Sequence, residues 1–231
     1  MDAKRLMPVT LENQECLVDV AYDTIHRAII CNELKPGTAL SEGALSEQLG
    51  ISRTPIREAL KKLEDEGLVR IVPRRGAFVT DLSAEDVVAI YQLREALECY
   101  AIQFVPAYGD PEALDGLAAE VAQAPAWLES NDVDMINDLD IRLHRFVARS
   151  SHNPLIVRLV DQLLHQVQRL RTMTPTVPGR LAQQMEEHRR IIAGLKSGDV
   201  DQAQEALRGH LQAVRDTAVQ IKLRTEQRPV R

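Results

Sequence analysis

Ile51-Ser52-Arg53-Thr54-Pro55-Ile56-Arg57-Glu58-Ala59-Leu60 is the stretch whose reading decides the fold. Ser, Arg and Thr open it, and a proline follows where a first helical turn tolerates one. Ile56, Ala59, Leu60 and Leu63 recur at helical spacing and make one apolar face. Arg53 and Arg57 stand one turn apart on another face. Polar readers at the N-terminal end and packing residues behind them describe a helix that enters the DNA major groove.

The flanking sequence supports that reading. Residues 15-33 have helical spacing (Leu17, Val20, Ala21, Ile25, Ala28, Ile29) and stop at the turn signal Lys35-Pro36-Gly37. Ser41 caps a short helix that runs to Leu49, and Gly50 allows a tight turn into Ser52. The next helix spans Thr54 to Glu66, with Gly67 as its C-cap. Leu68–Val72 and Ala77–Thr80 read as two strands joined by a Pro73-Arg74-Arg75-Gly76 loop. Helix, helix, turn, helix, hairpin is the order of a winged helix-turn-helix.

After Asp81 the pattern is helical throughout. Ser83 with Asp86 gives a start signal. Helices are expected over 84-106, 111-129, 132-150, 153-173, 180-196 and 199-223. The fold class is therefore mainly α: an N-terminal winged helix-turn-helix over 15-80 and a C-terminal all-α helical bundle over 81-224. A flexible arm over 1-14 and a frayed tail over 225-231 flank them.

Charge is distributed unevenly. The chain carries a formal −6 overall, yet residues 51-76 hold seven basic against four acidic residues. Residues 81-231 hold 17 basic against 22 acidic ones. A basic element on an acidic body suits site-specific DNA binding, because the body suppresses non-specific attraction to phosphate. Aromatic content of 3% disfavours a β-sandwich. Three cysteines without CxxC spacing fit buried thiols in a reducing compartment. No apolar run has membrane-span length and no signal-peptide pattern opens the chain, so a cytoplasmic protein without a membrane partner is expected.

Arg53 and Arg57 are the expected base readers, since bidentate Arg–guanine contact is the commonest specific pairing. Ser52 and Thr54 suit phosphate at a helix start. Arg74 and Arg75, beside Gly76, suit phosphate or the minor groove.

A second cluster lies in the helical half. Asp140 sits in the stripe Ile136, Asp140, Leu143, Val147, and His144 follows it one turn on. His188 interrupts Leu181, Met185, Ile192, Leu195. His210 interrupts Ala203, Leu207, Val214, Ala218. A carboxylate and imidazoles on core faces need mutual compensation, and three His with one Asp suit a divalent ion: Zn first, with Ni, Mn or Co also compatible. His26, His152 and His165 show no such pattern and read as structural or surface residues. Arg94, inside an apolar helix, either holds an anionic effector as a fork or pairs with Glu98 one turn away.

Residues 40-79 resemble the DNA-binding domain of GntR-type bacterial transcription regulators, through Ser52-Arg53-Thr54-Pro55-Ile56-Arg57-Glu58-Ala59-Leu60 and Arg75-Gly76-Ala77-Phe78-Val79. The helical remainder resembles the FCD effector domain of the FadR subfamily. Asp140, His144, His188 and His210 are similar to its metal-binding branch, and the short second half resembles the VanR-like group. The resemblance implies a homodimer on a pseudo-palindromic double-stranded DNA operator. It also implies a small organic acid that completes the metal's coordination and weakens DNA binding, which makes the protein a repressor. Arg53, Arg57 and the wing glycine Gly76 carry over as recognition residues. Gly43 departs from the pattern, since some members have a basic contact residue there. Two other readings compete. In one the ion itself is the signal. In the other the cluster is a metalloenzyme site, which lacks a His-Glu-x-x-His motif and an evident general base. The expectation is a regulator and not an enzyme.

Overall fold

The computed structural model describes residues 11–174 and 177–226. They divide into two compact units that meet in sequence at Asp81 and Leu82.

The first unit holds α1 (Leu11–Ile30), β1 (Ala39–Leu40), α2 (Glu42–Leu49), α3 (Arg53–Asp65), β2 (Val69–Val72) and β3 (Gly76–Val79). The helix α1 starts at Leu11, inside the stretch expected to be a loose arm; positions 1–10 of that arm lie outside the described residues. Its Val18, Ala21, Ile25 and Ile29 are buried with Ile56, Ala59, Leu60 and Leu63 of α3 in one apolar cluster. Tyr22 on α1 donates its hydroxyl to both oxygens of Glu66, at 2.8 and 2.9 Å, where α3 ends.

Ser41 caps α2 by accepting from the Ala44 N–H, and Gly50 takes φ 66° to turn the chain into α3. The sheet is antiparallel, in the order β1-β3-β2. Val69 pairs with Val79 and Val72 with Gly76, while Ala39 pairs with Phe78. The strand β1 was not expected. At two residues it is too short to carry an alternation, and the pairing with β3 alone defines it. At the wing tip the Arg75 N–H donates to the Val72 carbonyl at 3.0 Å. Arg74 takes φ 65° there, so an arginine occupies the left-handed turn position that usually falls to glycine.

The second unit is helical: α4 (Ala84–Ala101), a 3-10 turn (Ile102–Phe104), α5 (Val105–Tyr108), α6 (Pro111–Ser130), α7 (Val133–Ser150), α8 (Pro154–Met173), α9 (Arg180–Ser197) and α10 (Val200–Glu226). Ser83 and Asp86 form a reciprocal capping box at the start of α4. The helix expected over 84-106 instead ends at Ala101 and tightens into the 3-10 turn. Asp110 caps α6, accepting from the Glu112 and Ala113 N–H groups, and α6 continues through Pro125. The last helix reaches Glu226, within the expected tail; positions 227–231 lie outside the described residues. Among the described residues no helix is long and apolar enough to cross a membrane.

The core of this unit is built by Val87, Ile102, Leu117, Ile136, Leu139, Leu143, Val147, Val160, Leu164, Ile191 and Leu207. The helices α9 and α10 approach closely at Gly194, where an added Cβ would lie 2.7 Å from the Ala203 backbone nitrogen. Backbone cannot yield as a flexible side chain does. Gly194→Ala is therefore expected to destabilise the protein by about 1–3 kcal/mol, read as a lowered midpoint in urea unfolding.

Candidate functional site

Two sets of polar side chains stand out, one on the surface of the first unit and one inside the second. On the first, Ser52, Arg53, Thr54 and Arg57 are exposed at the start of α3, while Pro55, Ile56, Ala59 and Leu60 turn inward. Ser52 is the N-cap residue but makes no side-chain cap bond, which leaves its hydroxyl to an outside partner. Arg74, Arg75 and Gly76 are exposed at the wing tip.

Arg57 is held by α2. Its Nε and Nη2 donate to the two carboxylate oxygens of Glu42 at 2.9 and 2.7 Å. This fork occupies one edge of the guanidinium and leaves the Nη1 edge turned away from Glu42, available for a second bidentate contact. Arg53 lies against the first turn of α2: a Cβ on Gly43 would sit 3.6 Å from its Nη2. The missing side chain at position 43 is thus the space beside a neighbouring arginine.

In the second unit, α7 contributes Asp140 and His144, α9 contributes His188, and α10 contributes His210. All four are at most 1% exposed. Their ligand atoms lie within 4.8 Å of one another. Three imidazole Nε2 atoms surround one oxygen: Asp140 Oδ1 is 3.0 Å from His188, 3.5 Å from His144 and 3.6 Å from His210. His144 Nε2 and His210 Nε2 are 3.2 Å apart.

The outer nitrogens show what this arrangement is built for. His144 Nδ1 faces Glu98 Oε2 on α4, and His210 Nδ1 faces Glu187 Oε2 on α9 at 2.7 Å. A carboxylate accepts, so both Nδ1 atoms carry the proton. With one proton on each ring, both Nε2 atoms present lone pairs toward each other and toward an anionic oxygen, an arrangement made favourable by a positive charge among them, either a second imidazole proton or a bound cation. Donor separations of 3.0–3.6 Å are those of neighbouring ligands on one first-row ion, with bonds of about 2.0–2.2 Å. The residues therefore fit a divalent cation, held by His144, His188, His210 and Asp140 through Oδ1.

His144, His210 and Asp140 each have a support from outside the quartet. Arg94 Nε donates to Glu98 at 2.7 Å, and Arg180 Nη2 donates to Glu187 at 2.8 Å. Arg–Glu–His relays thus reach His144 from α4 and His210 from α9. Arg171 Nη2 on α8 donates to Asp140 Oδ2 at 2.7 Å, and Gln184 Nε2 donates to Oδ1 at 2.9 Å. Such outer partners fix ligand tautomer and orientation. Arg94 takes the pairing reading, although its Nη2 is buried without a partner. The sequence signals were slight: Glu98 lies one turn beyond Arg94, and Glu187 adjoins His188.

Electrostatics follow the contacts. Burial pushes the Asp140 carboxyl up, but Arg171 and His144 outweigh it and hold Asp140 well below its ordinary range. Burial likewise acts against Glu98, and Arg94 with His144 keeps it ionised. His144 is raised because Glu98 overcomes the opposing effect of burial. Burial, aided by neighbouring imidazoles and opposed by Asp140, lowers His188 to about 4. His188 is thus neutral and able to ligate at pH 7. The fold favours its neutral form, so the stability it contributes is present above the ordinary imidazole value of 6.5 and is lost as pH falls through about 4. In the ion-free protein its NMR titration should show that low midpoint.

Comparisons with known proteins agree with this division. Residues 17–79 match the bacterial regulatory proteins of the gntR family, and residues 89–213 match the FCD domain. The chain is 30% identical over 190 residues to the HTH-type transcriptional regulator YdhC of Bacillus subtilis, covering 82% of this chain and 85% of that protein. Among solved structures it resembles E. coli McbR/YncC, with TM-score 0.74, 22% identity, and 88% and 97% of the two chains covered. It also resembles a Zn2+-bound FCD domain, that of TM0439, with TM-score 0.51, 23% identity, and 61% and 96% covered.

Glu98→Gln removes the carboxylate charge behind His144 while keeping the side chain's size. Affinity for zinc is expected to fall about 10- to 100-fold, read by competition with a chelating dye, while the far-ultraviolet helical signal stays unchanged.

Proposed function

The chain belongs to the GntR family of bacterial regulatory proteins and carries an FCD domain, and we propose that this DNA-binding transcriptional regulator is a homodimeric repressor released from its operator by a small carboxylate bound at a metal site. The observation that carries this reading is the convergence of three imidazoles on Asp140 Oδ1 with both outer carboxylates in place.

In the reader, Arg57 contacts guanine through its free edge while Glu42 restrains the other. Arg53 reads from the turn before it. Ser52 and Thr54 bind phosphate beside the N-terminus of α3, where backbone N–H groups are unpaired. Arg74, Arg75 and Gly76 of the wing contact the neighbouring backbone or minor groove. A pseudo-palindromic operator matches the two-fold symmetry of a dimer.

In the sensor, His144, His188, His210 and Asp140 hold a divalent ion, zinc by preference, since three nitrogens and one oxygen suit it. The ion supplies a positive anchor for a carboxylate. Arg94, through its unpartnered Nη2, adds a donor to the same shell. The resemblance in fold to a zinc-bound FCD domain is compatible with this, but the donor chemistry is what supports it. The signal passes along α4, which carries Arg94 and Glu98 and begins at the Ser83 cap two residues after the first unit ends. Differential affinity of the acid for the DNA-free arrangement is what releases the operator.

Two measurements test this. Arg57→Ala should weaken operator binding roughly tenfold to a hundredfold and relax preference at one base position; an unchanged footprint and affinity would remove α3 from the interface. Gel-shift titration with small carboxylates should release operator from zinc-loaded protein and leave His188→Ala bound. Release of that variant without metal would refute the ion's role, and release by zinc alone would make the ion the signal.

A further inference from the structure

Around the quartet three guanidiniums and three carboxylates balance one another. Arg94, Arg171 and Arg180 face Glu98, Asp140 and Glu187, and none of the six side chains is more than 19% exposed. A divalent ion on neutral imidazoles takes the same shell to a net charge of +2. A buried net charge is costly unless opposite charge meets it. One carboxylate would leave half of it unmet.

Hydrogen-bonding capacity points the same way. Arg94 Nη2, Arg171 Nη1, Arg180 Nε and His188 Nδ1 are buried without a partner. The three guanidinium nitrogens can only donate. His188 Nδ1 becomes a donor once Nε2 is turned to a cation. Four donors lacking acceptors, on His188 and on the three arginines that back the quartet, call for acceptor oxygens, and more than a single carboxylate offers at one end.

There is also a place for a second acidic group. Arg171 and Arg180 line a cavity of about 110 Å3 together with Asn137, Gln184 and Thr217. Arg171 and Gln184 both hydrogen-bond to Asp140, so the wall of the cavity is one side chain away from the quartet. Val133, Leu181, Val214 and Ile221 supply apolar lining to the same cavity. The volume is well below the roughly 300–1,000 Å3 of pockets that hold drug-sized molecules, and it selects a short chain.

We infer that the effector is a short aliphatic dicarboxylate, one carboxylate directed to the ion and the other to Arg171 and Arg180. This rests on the reading of the quartet as an ion site, and it sharpens the ligand class. The dianion matches the charge the ion adds, its oxygens match the orphaned donors, and its methylenes match the apolar lining.

The test uses full-length, zinc-loaded protein and isothermal titration with malonate and succinate, each against its monoamide. The monoamides keep the chain and one carboxylate and lose the second charge. At least one diacid should bind about tenfold tighter than its monoamide, the cost of losing a charged hydrogen-bond partner. Arg171→Gln and Arg180→Gln keep a donor for Asp140 and Glu187 but drop the guanidinium. Because both arginines back the ion's ligands, each variant is titrated at zinc concentrations that fill the site, with occupancy checked by atomic absorption, and each should then reduce that preference to about twofold. Equal binding of diacid and monoamide by the wild type overturns the dicarboxylate and leaves the carboxylate effector standing. Binding of none of the four acids overturns the carboxylate effector as well. A full preference retained in both zinc-loaded variants overturns the place assigned to the second carboxylate.

Discussion

A carboxylate with no exposure to solvent, at the centre of a helical bundle, is the constraint on which the second unit depends. Asp140 sits where an apolar residue would pack most easily. Left alone it would destabilise the fold by several kcal/mol or give up its charge. Instead α8 sends Arg171 to one oxygen, and α9 sends Gln184 and His188 to the other. His144 from α7 and His210 from α10 complete the surround, and α4 reaches it through Glu98 behind His144. Each of these helices is thereby tied to one atom group at one register. A buried polar network of this kind is favourable only when every member is satisfied, so the helices' mutual placement and the ligand geometry are the same problem.

The network is also asymmetric. His144 and His210 have outer carboxylates backed by arginines, whereas His188 Nδ1 has no partner. Around the quartet three guanidiniums face three carboxylates, so a cation at the centre adds charge that they do not offset. These features suit the bundle to the sensing role proposed for it: it is pre-shaped around a positive charge and left with donors that lack acceptors. The first unit has the opposite character. Its core is built largely by the packing of α1 against α3, and its guanidiniums lie outside. Rigidity comes from below, while Glu42 limits the freedom of Arg57 from the side. Holding a long side chain before contact reduces the entropy lost on binding.

The sequence was legible where a single element decides the outcome. The buried face of α3, the turn at Gly50 and the capping box at Ser83 each follow from residues within one helical turn. The core positions of Asp140, His144, His188 and His210 followed from stripe spacing along three separate helices. Legibility failed where partners come from distant segments. The strand β1 exists only because β3 lies beside it. For Arg94 the sequence leaves an anionic ligand and Glu98 both open, and the second oxygen of Glu98, facing His144 46 residues away, has no local signature. Arg171 and Arg180 carry no local signal that distinguishes them from solvated charges on helix faces. Near 101–108, propensity favoured continuing α4, but the chain tightens at Ile102 and enters α5 through Pro106.

By itself the sequence determined which faces of the helices are apolar, where the chain turns, and which polar residues stand on core positions. Those depend on spacing along one chain, with periods of 3.6 and 2. Tertiary structure alone decided that three imidazoles meet one carboxylate oxygen, that arginines from α4, α8 and α9 balance the carboxylates around them, and that unpaired donors and a small cavity remain beside Asp140. Those depend on distances between helices, which packing fixes and no local periodicity encodes.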